Sequence, residues 1–131
     1  MHVQTNPPTA KGPATMFTGD VFIDVIHPAD APSRMRVNAV HFTPGARTAW
    51  HAHAAGQTLY ILEGAGYVQS RGEKPVAIRP GQVVTTPAGE WHWHGAASDH
   101  FMTHLSMWEA PDTGPESSWG DHVTDKEYPR V

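Results

Sequence analysis

Cysteine is absent from the 131 residues of this chain. That excludes disulfides, iron–sulfur clusters and thiolate metal sites, so any bound metal must rely on imidazole, amide or carboxylate groups. Charge is sparse, at 17% of residues with a net value of −4, and the Lys and Arg residues are scattered. This argues against a nucleic-acid surface. No apolar run approaches the roughly 20 residues of a spanning helix. The opening MHVQTNPPTAKGPATMF lacks the basic start and apolar core of a signal peptide. A cytoplasmic protein without membrane or nucleic-acid partners is expected. Helical periodicity is missing as well.

Turn residues and histidine are what the chain has in quantity. Twelve Gly and twelve Pro punctuate short apolar segments. Strand candidates are Val21–Ile26, Met35–Thr43, Tyr67–Ser70, Val76–Ile78, Gln82–Thr86, Glu90–His94 and Asp99–Trp108. Many short strands separated by Gly and Pro predict an all-β sandwich or barrel with little helix. The length suits one domain. Residues 1–15, with Asn6-Pro7-Pro8 and Gly12-Pro13, read as an extended N-terminal arm ahead of a single domain over 16–131. Thr124-Asp125-Lys126-Glu127 has capping-box spacing, with room for a turn or two only. The segment from Ala110 to Pro115 reads as a Pro/Gly-rich tail.

Ten histidines make their placement informative. His51 and His53 stand two apart, so on a strand both point to one face. A turn at Ala54-Ala55-Gly56 can begin a second strand with Gln57 facing the same space. Converging imidazoles with a third polar group suit a first-row transition metal. In the last long strand Met102, His104, Ser106 and Trp108 share a face, and His94 shares a face with His92. His2, His27, His100 and His122 carry no spacing argument and read as surface residues. Trp50, Trp91, Trp93 and Trp119 read as packing or interface residues, and the roles of Arg47 and Thr48 are open.

The runs Gly45-(five residues)-His51-Ala52-His53-(three)-Gln57-(six)-Gly64 and Gly81-(five)-Pro87-Ala88-Gly89-(two)-His92 resemble the two motifs of the cupin superfamily. The resemblance implies a single cupin jelly-roll barrel, a double-stranded β-helix, with His51, His53, Gln57 and His92 as metal ligands. From the cupin layout Asn38, Val40 and Phe42 would line the pocket, with His94, Met102 and Trp108. Phe42, Leu59, Ile61 and Met102 are barrel-core candidates as well, the commoner place for such residues. Two positions depart from the family pattern: Gln57 stands where Glu is usual, and Ala96 where Asn often closes the second motif. An amide in place of a carboxylate removes one negative charge, which makes a divalent ion a stronger Lewis acid and supports a higher oxidation state less well. Non-redox chemistry is expected.

Pro44–Leu59, Pro87–Ala96, Met102–Leu105 and His122–Tyr128 further resemble a subgroup of small bacterial cupins that includes manganese-dependent hydroxynitrile lyases. That resemblance implies Mn(2+), places His104 near the metal as acid or base, and implies a homodimer or homotetramer. Fe(2+), Ni(2+) and Zn(2+) accept nitrogen–oxygen ligand sets too. A lyase acting on cyanohydrins is the first expectation. The alternatives are a cupin dioxygenase, an isomerase or decarboxylase of a small oxo or hydroxy acid, and a ligand-binding cupin without turnover. The apolar pocket candidates disfavour a highly anionic small-molecule substrate.

Overall fold

A computed structural model describes residues 1–130, and among them every regular element is a strand. In chain order these are β1 (Ala10–Lys11), β2 (Phe17–Thr18), β3 (Val21–Pro28), β4 (Met35–Phe42), β5 (Arg47–Thr48), β6 (His51–His53) and β7 (Gln57–Gly64). They continue with β8 (Gly66–Ser70), β9 (Val76–Ile78), β10 (Val83–Thr86), β11 (His92–Ala96), β12 (Met102–Glu109) and β13 (Ser117–Trp119). One sheet runs β1-β3-β4-β12-β7-β10. The other runs β13-β6-β11-β5-β2, with β8 on β11 and β9 on β8. All pairings are antiparallel. No helix among the described residues is long and apolar enough to cross a membrane.

The sheets face each other across a core of Phe17, Val21, Val40, Phe42, Leu59, Ile61, Ile78 and Met102. In β7 such residues alternate with exposed ones, as in Leu59-Tyr60-Ile61-Leu62, so one face of that strand is in the interior, whereas β5, β6 and β11 are buried throughout. A second cluster joins Trp50, Trp93 of β11, Val123 and Tyr128. Arg47 is buried there. Its guanidinium donates to the Val123 carbonyl from Nε (3.1 Å) and Nη2 (2.7 Å), and lies 4.4 Å over the Tyr128 ring.

Several strands differ from the expected bounds. The expected Glu90–His94 strand starts at His92 and reaches Ala96, because Pro87–Gly89 and the residues just after it turn before pairing begins. Ala10–Lys11 of the arm add a short edge strand to β3. The tail returns as β13, which pairs with β6. Thr124 and Glu127 exchange capping-box bonds of 3.0 and 3.2 Å around a single turn, with no helix following.

Gly56 closes the turn between β6 and β7 at φ +81°, and a Cβ there would lie 2.7 Å from the Thr86 carbonyl oxygen. Only glycine meets both conditions without strain. That turn brings Gln57 back beside the two histidines.

Candidate metal centre and cavity

Strand alternation aims His51 and His53 off one face of β6, and the register His92↔His51 brings β11 alongside. One nitrogen from each of His51, His53 and His92 lies within 4.8 Å of the others. All three rings are buried. Their outward nitrogens are engaged. His51 Nδ1–H donates to the Ala49 carbonyl and His92 Nδ1–H to the Glu90 carbonyl, both at 2.9 Å, and His53 Nδ1 lies 3.2 Å from Ser117 Oγ. A hydrogen on Nδ1 leaves Nε2 as a bare lone pair facing inward, the form a metal ion needs.

Two observations test whether a cation fits here. His53 Nε2 is buried with no hydrogen-bond partner. His92 Nε2 lies 2.9 Å from Gln57 Oε1, while Gln57 Nε2 donates to Ser106 Oγ at 2.7 Å. A neutral imidazole carries one hydrogen, and the Glu90 carbonyl already receives it. Two lone pairs therefore meet between His92 and Gln57. Protonating the ring would relieve the contact, but burial lowers the His92 pKa and opposes that. A divalent cation would turn three imidazole nitrogens and one amide oxygen into favourable partners. The donor set fits.

Burial likewise lowers the pKa of His53 to about 4 and that of His51 well below its usual value, with nearby His92 adding to both shifts. Both rings are therefore held neutral and ready to ligate.

The site opens on a cavity of about 230 Å³, lined by Phe17, Ile23, Asn38, Val40, Thr48, His51, His53, Gln57, His94, Ser106, Trp108, Ser117 and Trp119 among others. No Asp, Glu, Lys or Arg lines it. His92 does not reach this wall and borders a neighbouring cleft of about 560 Å³ instead.

The other expected site residues divide. Asn38, Val40, His94 and Trp108 line the cavity. Phe42 and Met102 do not, a correction: both are packed in the core behind it, with the Phe42 ring 6.0 Å from His94 and 5.2 Å from His104. His104 is also off the cavity wall and wholly buried, and burial lowers its pKa to about 3. Its Nε2 meets His94 Nδ1 at 2.9 Å, leaving His94 Nε2 and His104 Nδ1 buried without partners. Burial, then the neighbouring imidazoles, push His94 well below its usual value.

Residues not assigned to the site from sequence complete it. Ser106 orients the Gln57 amide. Thr48 Oγ1 accepts the His94 backbone N–H at 3.2 Å. Trp119 stacks on His51 with ring centroids 4.4 Å apart, tilted by 16°. The register Ser117↔His53 and Trp119↔His51 was the signal, but it appears only once β13 is paired.

Comparison with known proteins agrees with the fold. Residues 38–108 match the Cupin domain family. The chain belongs to the cupin family. It is 48% identical over 122 residues to an (R)-mandelonitrile lyase of Granulicella tundricola, an alignment covering 93% of this cupin and 92% of that protein. A cupin-like protein from Thermotoga maritima superposes with a TM-score of 0.87 at 37% identity, covering 91% of this chain and 90% of that one. A cupin-2 domain protein from Rhodospirillum rubrum shares the fold at a TM-score of 0.71 and 19% identity, covering 97% and 84%.

Proposed function

We propose that this cupin is a metal-dependent hydroxynitrile lyase, cleaving cyanohydrins to an aldehyde and hydrogen cyanide or forming them in reverse. One observation carries the reading. One nitrogen from each of His51, His53 and His92 clusters with the Gln57 amide oxygen, and His51, His53, Gln57 and His94 line one small cavity without charged side chains. The similarity to the Granulicella tundricola protein supports the same class of reaction. A cavity of about 230 Å³ lies below the roughly 300–1,000 Å³ of drug-sized sites. It suits a small neutral molecule better than an oxo acid, for which no cationic side chain is present.

His51, His53, Gln57 and His92 would hold a divalent ion, Mn(2+) first among the candidates. The ion supplies Lewis acidity that lowers the pKa of a cyanohydrin hydroxyl. The chain's own part is proton transfer. To accept the hydroxyl proton at Nε2, His94 must carry its hydrogen on Nδ1 and donate it to His104 Nε2, so His104 sets the useful tautomer. As the proton reaches His94, the carbon–carbon bond breaks, its electron pair leaves with cyanide, and the aldehyde C=O forms. The His94 imidazolium then protonates cyanide. No electron is exchanged with an oxidant, in keeping with an uncharged Gln57. His104, expected from sequence as the acid or base, acts in this reading through His94.

Cyanide release from mandelonitrile by the manganese-loaded protein tests the proposal. Oxygen uptake without cyanide release would replace it with a dioxygenase, and thermal stabilisation by mandelonitrile without products would leave a binding protein. A cytoplasmic homodimer or homotetramer extends the reading. Exposed Phe22, Tyr60, Leu62 and Val83 support self-association, which gel filtration with light scattering measures.

A further inference from the structure

After β12 the chain leaves the six-stranded sheet, crosses to the other sheet, and is fastened there beside the ligand strand. Glu116 makes that fastening. Its Oε1 accepts from Arg36 Nε at 2.6 Å and from Trp108 Nε1 at 2.9 Å, and its Oε2 accepts from Arg36 Nη2 at 2.9 Å. Its backbone carbonyl accepts the Ala54 N–H at 2.8 Å. Arg36 and Trp108 are directly opposite each other on β4 and β12. One residue, through its carboxylate and its backbone carbonyl, therefore ties two strands of one sheet to the turn that follows His53 in the other.

The two groups Glu116 governs are part of the cavity. Trp108 lines it, with its ring centroid 5.4 Å from that of His53. An indole has a single N–H, so the bond to Glu116 fixes how far the ring rotates into the space. The next residue, Ser117, faces His53 Nδ1. Arg36 matters because a bidentate guanidinium–carboxylate pair fixes both position and plane. The pair is half-buried, with 33% and 31% of the side chains exposed, so water competes with it only in part.

We infer that Glu116 is a positioning residue that sets the width of the cavity at its outer wall through the Trp108 indole, and with it the size of the carbonyl substituent admitted. The inference rests on the lyase reading only for its choice of small aldehydes as probes.

Calorimetric binding of benzaldehyde and of propanal to the manganese-loaded protein, without cyanide, measures wall position apart from turnover. Glu116→Gln keeps an acceptor for the indole but loses the bidentate pair. It weakens benzaldehyde binding about tenfold, the scale of one pocket contact, and leaves propanal within about twofold. Mn(2+) affinity, measured on the ion alone, stays within about threefold. Trp108→Phe removes the N–H, keeps a ring, and shifts selectivity the same way. The double variant Glu116→Gln/Trp108→Phe is no more altered than either single one, because both act through one contact.

A fastening with a merely structural role would lower the melting temperature and weaken both aldehydes equally. Equal weakening, additive single effects, or a wild-type protein that binds no benzaldehyde would each overturn the inference. If benzaldehyde binds with this selectivity yet mandelonitrile releases no cyanide, the lyase reading falls and the role of Glu116 stands.

Discussion

His51, His53 and His92 on one side, and His94 and His104 on the other, are five buried rings whose residues project into one interior. His51/His53 and His92/His94 even share the same two-residue spacing. What separates the sets is the partner on the outward nitrogen. In the first, Nδ1 is engaged by a backbone carbonyl or by Ser117 Oγ, so Nε2 converges on a common point. In the second, the two rings bond to each other, and the free nitrogens diverge. Strand spacing brings imidazoles together; under the proposed function, the second bond of each ring sorts those that would hold an ion from those that would move a proton.

Substitutions sort by this division. His51→Ala lowers metal affinity by more than about 100-fold, since even outer partners of a ligand are worth about 10–100-fold. Metal content after dialysis at a fixed ion concentration reads it. His94→Ala leaves metal content unchanged but lowers turnover of mandelonitrile by about 10²–10⁴-fold, the usual range for a lost acid or base. His104→Leu keeps the ion as well, with a smaller loss, because His94 itself still lines the cavity. A loss of metal in either variant would erase the distinction. Ser106→Ala frees the Gln57 amide and weakens metal binding about tenfold, at the low end of such outer contacts.

Acid stability gives the gentlest contrast. All five rings have folded pKa values below the usual 6.5, His53 near 4 and His104 near 3, each mainly through burial. The unfolded chain therefore binds more protons as pH falls. Stability present above pH 6.5 is lost progressively toward the folded values. Replacing both His94 and His104 by Leu removes two of the five groups and makes the fall in melting temperature between pH 7 and 5 shallower in the ion-free protein. An unchanged slope would mean that those two rings are not held neutral by the fold.

Much of the site was legible because its geometry is local. The His51/His53 spacing and the turn at Gly56 needed only strand alternation, and β6 and β7 form as expected. His92 is far away in sequence and was reached through the two-motif resemblance. Alternation also put Phe42 and Met102 on the inner face correctly, but a period of two says nothing about depth along the barrel. Both lie behind the cavity. The same limit hid the order of His94 and His104, since β11 and β12 belong to different sheets. β13 was unreadable because Pro and Gly before it look like a tail, and its three residues draw their pairing from β6. Arg47, open from sequence, proves to anchor the C-terminal residues from inside the fold.

Trp119 stacks on the His51 ring, with centroids 4.4 Å apart. Electron density withdrawn from His51 by an arriving cation would be felt across that stack, and a paramagnetic ion would quench the excited indole outright. If the proposed centre fills, the indole would serve as an optical gauge of its occupancy. Tryptophan emission, compared between wild type and Trp119→Phe, would report filling of the centre in real time, with no substrate and no turnover.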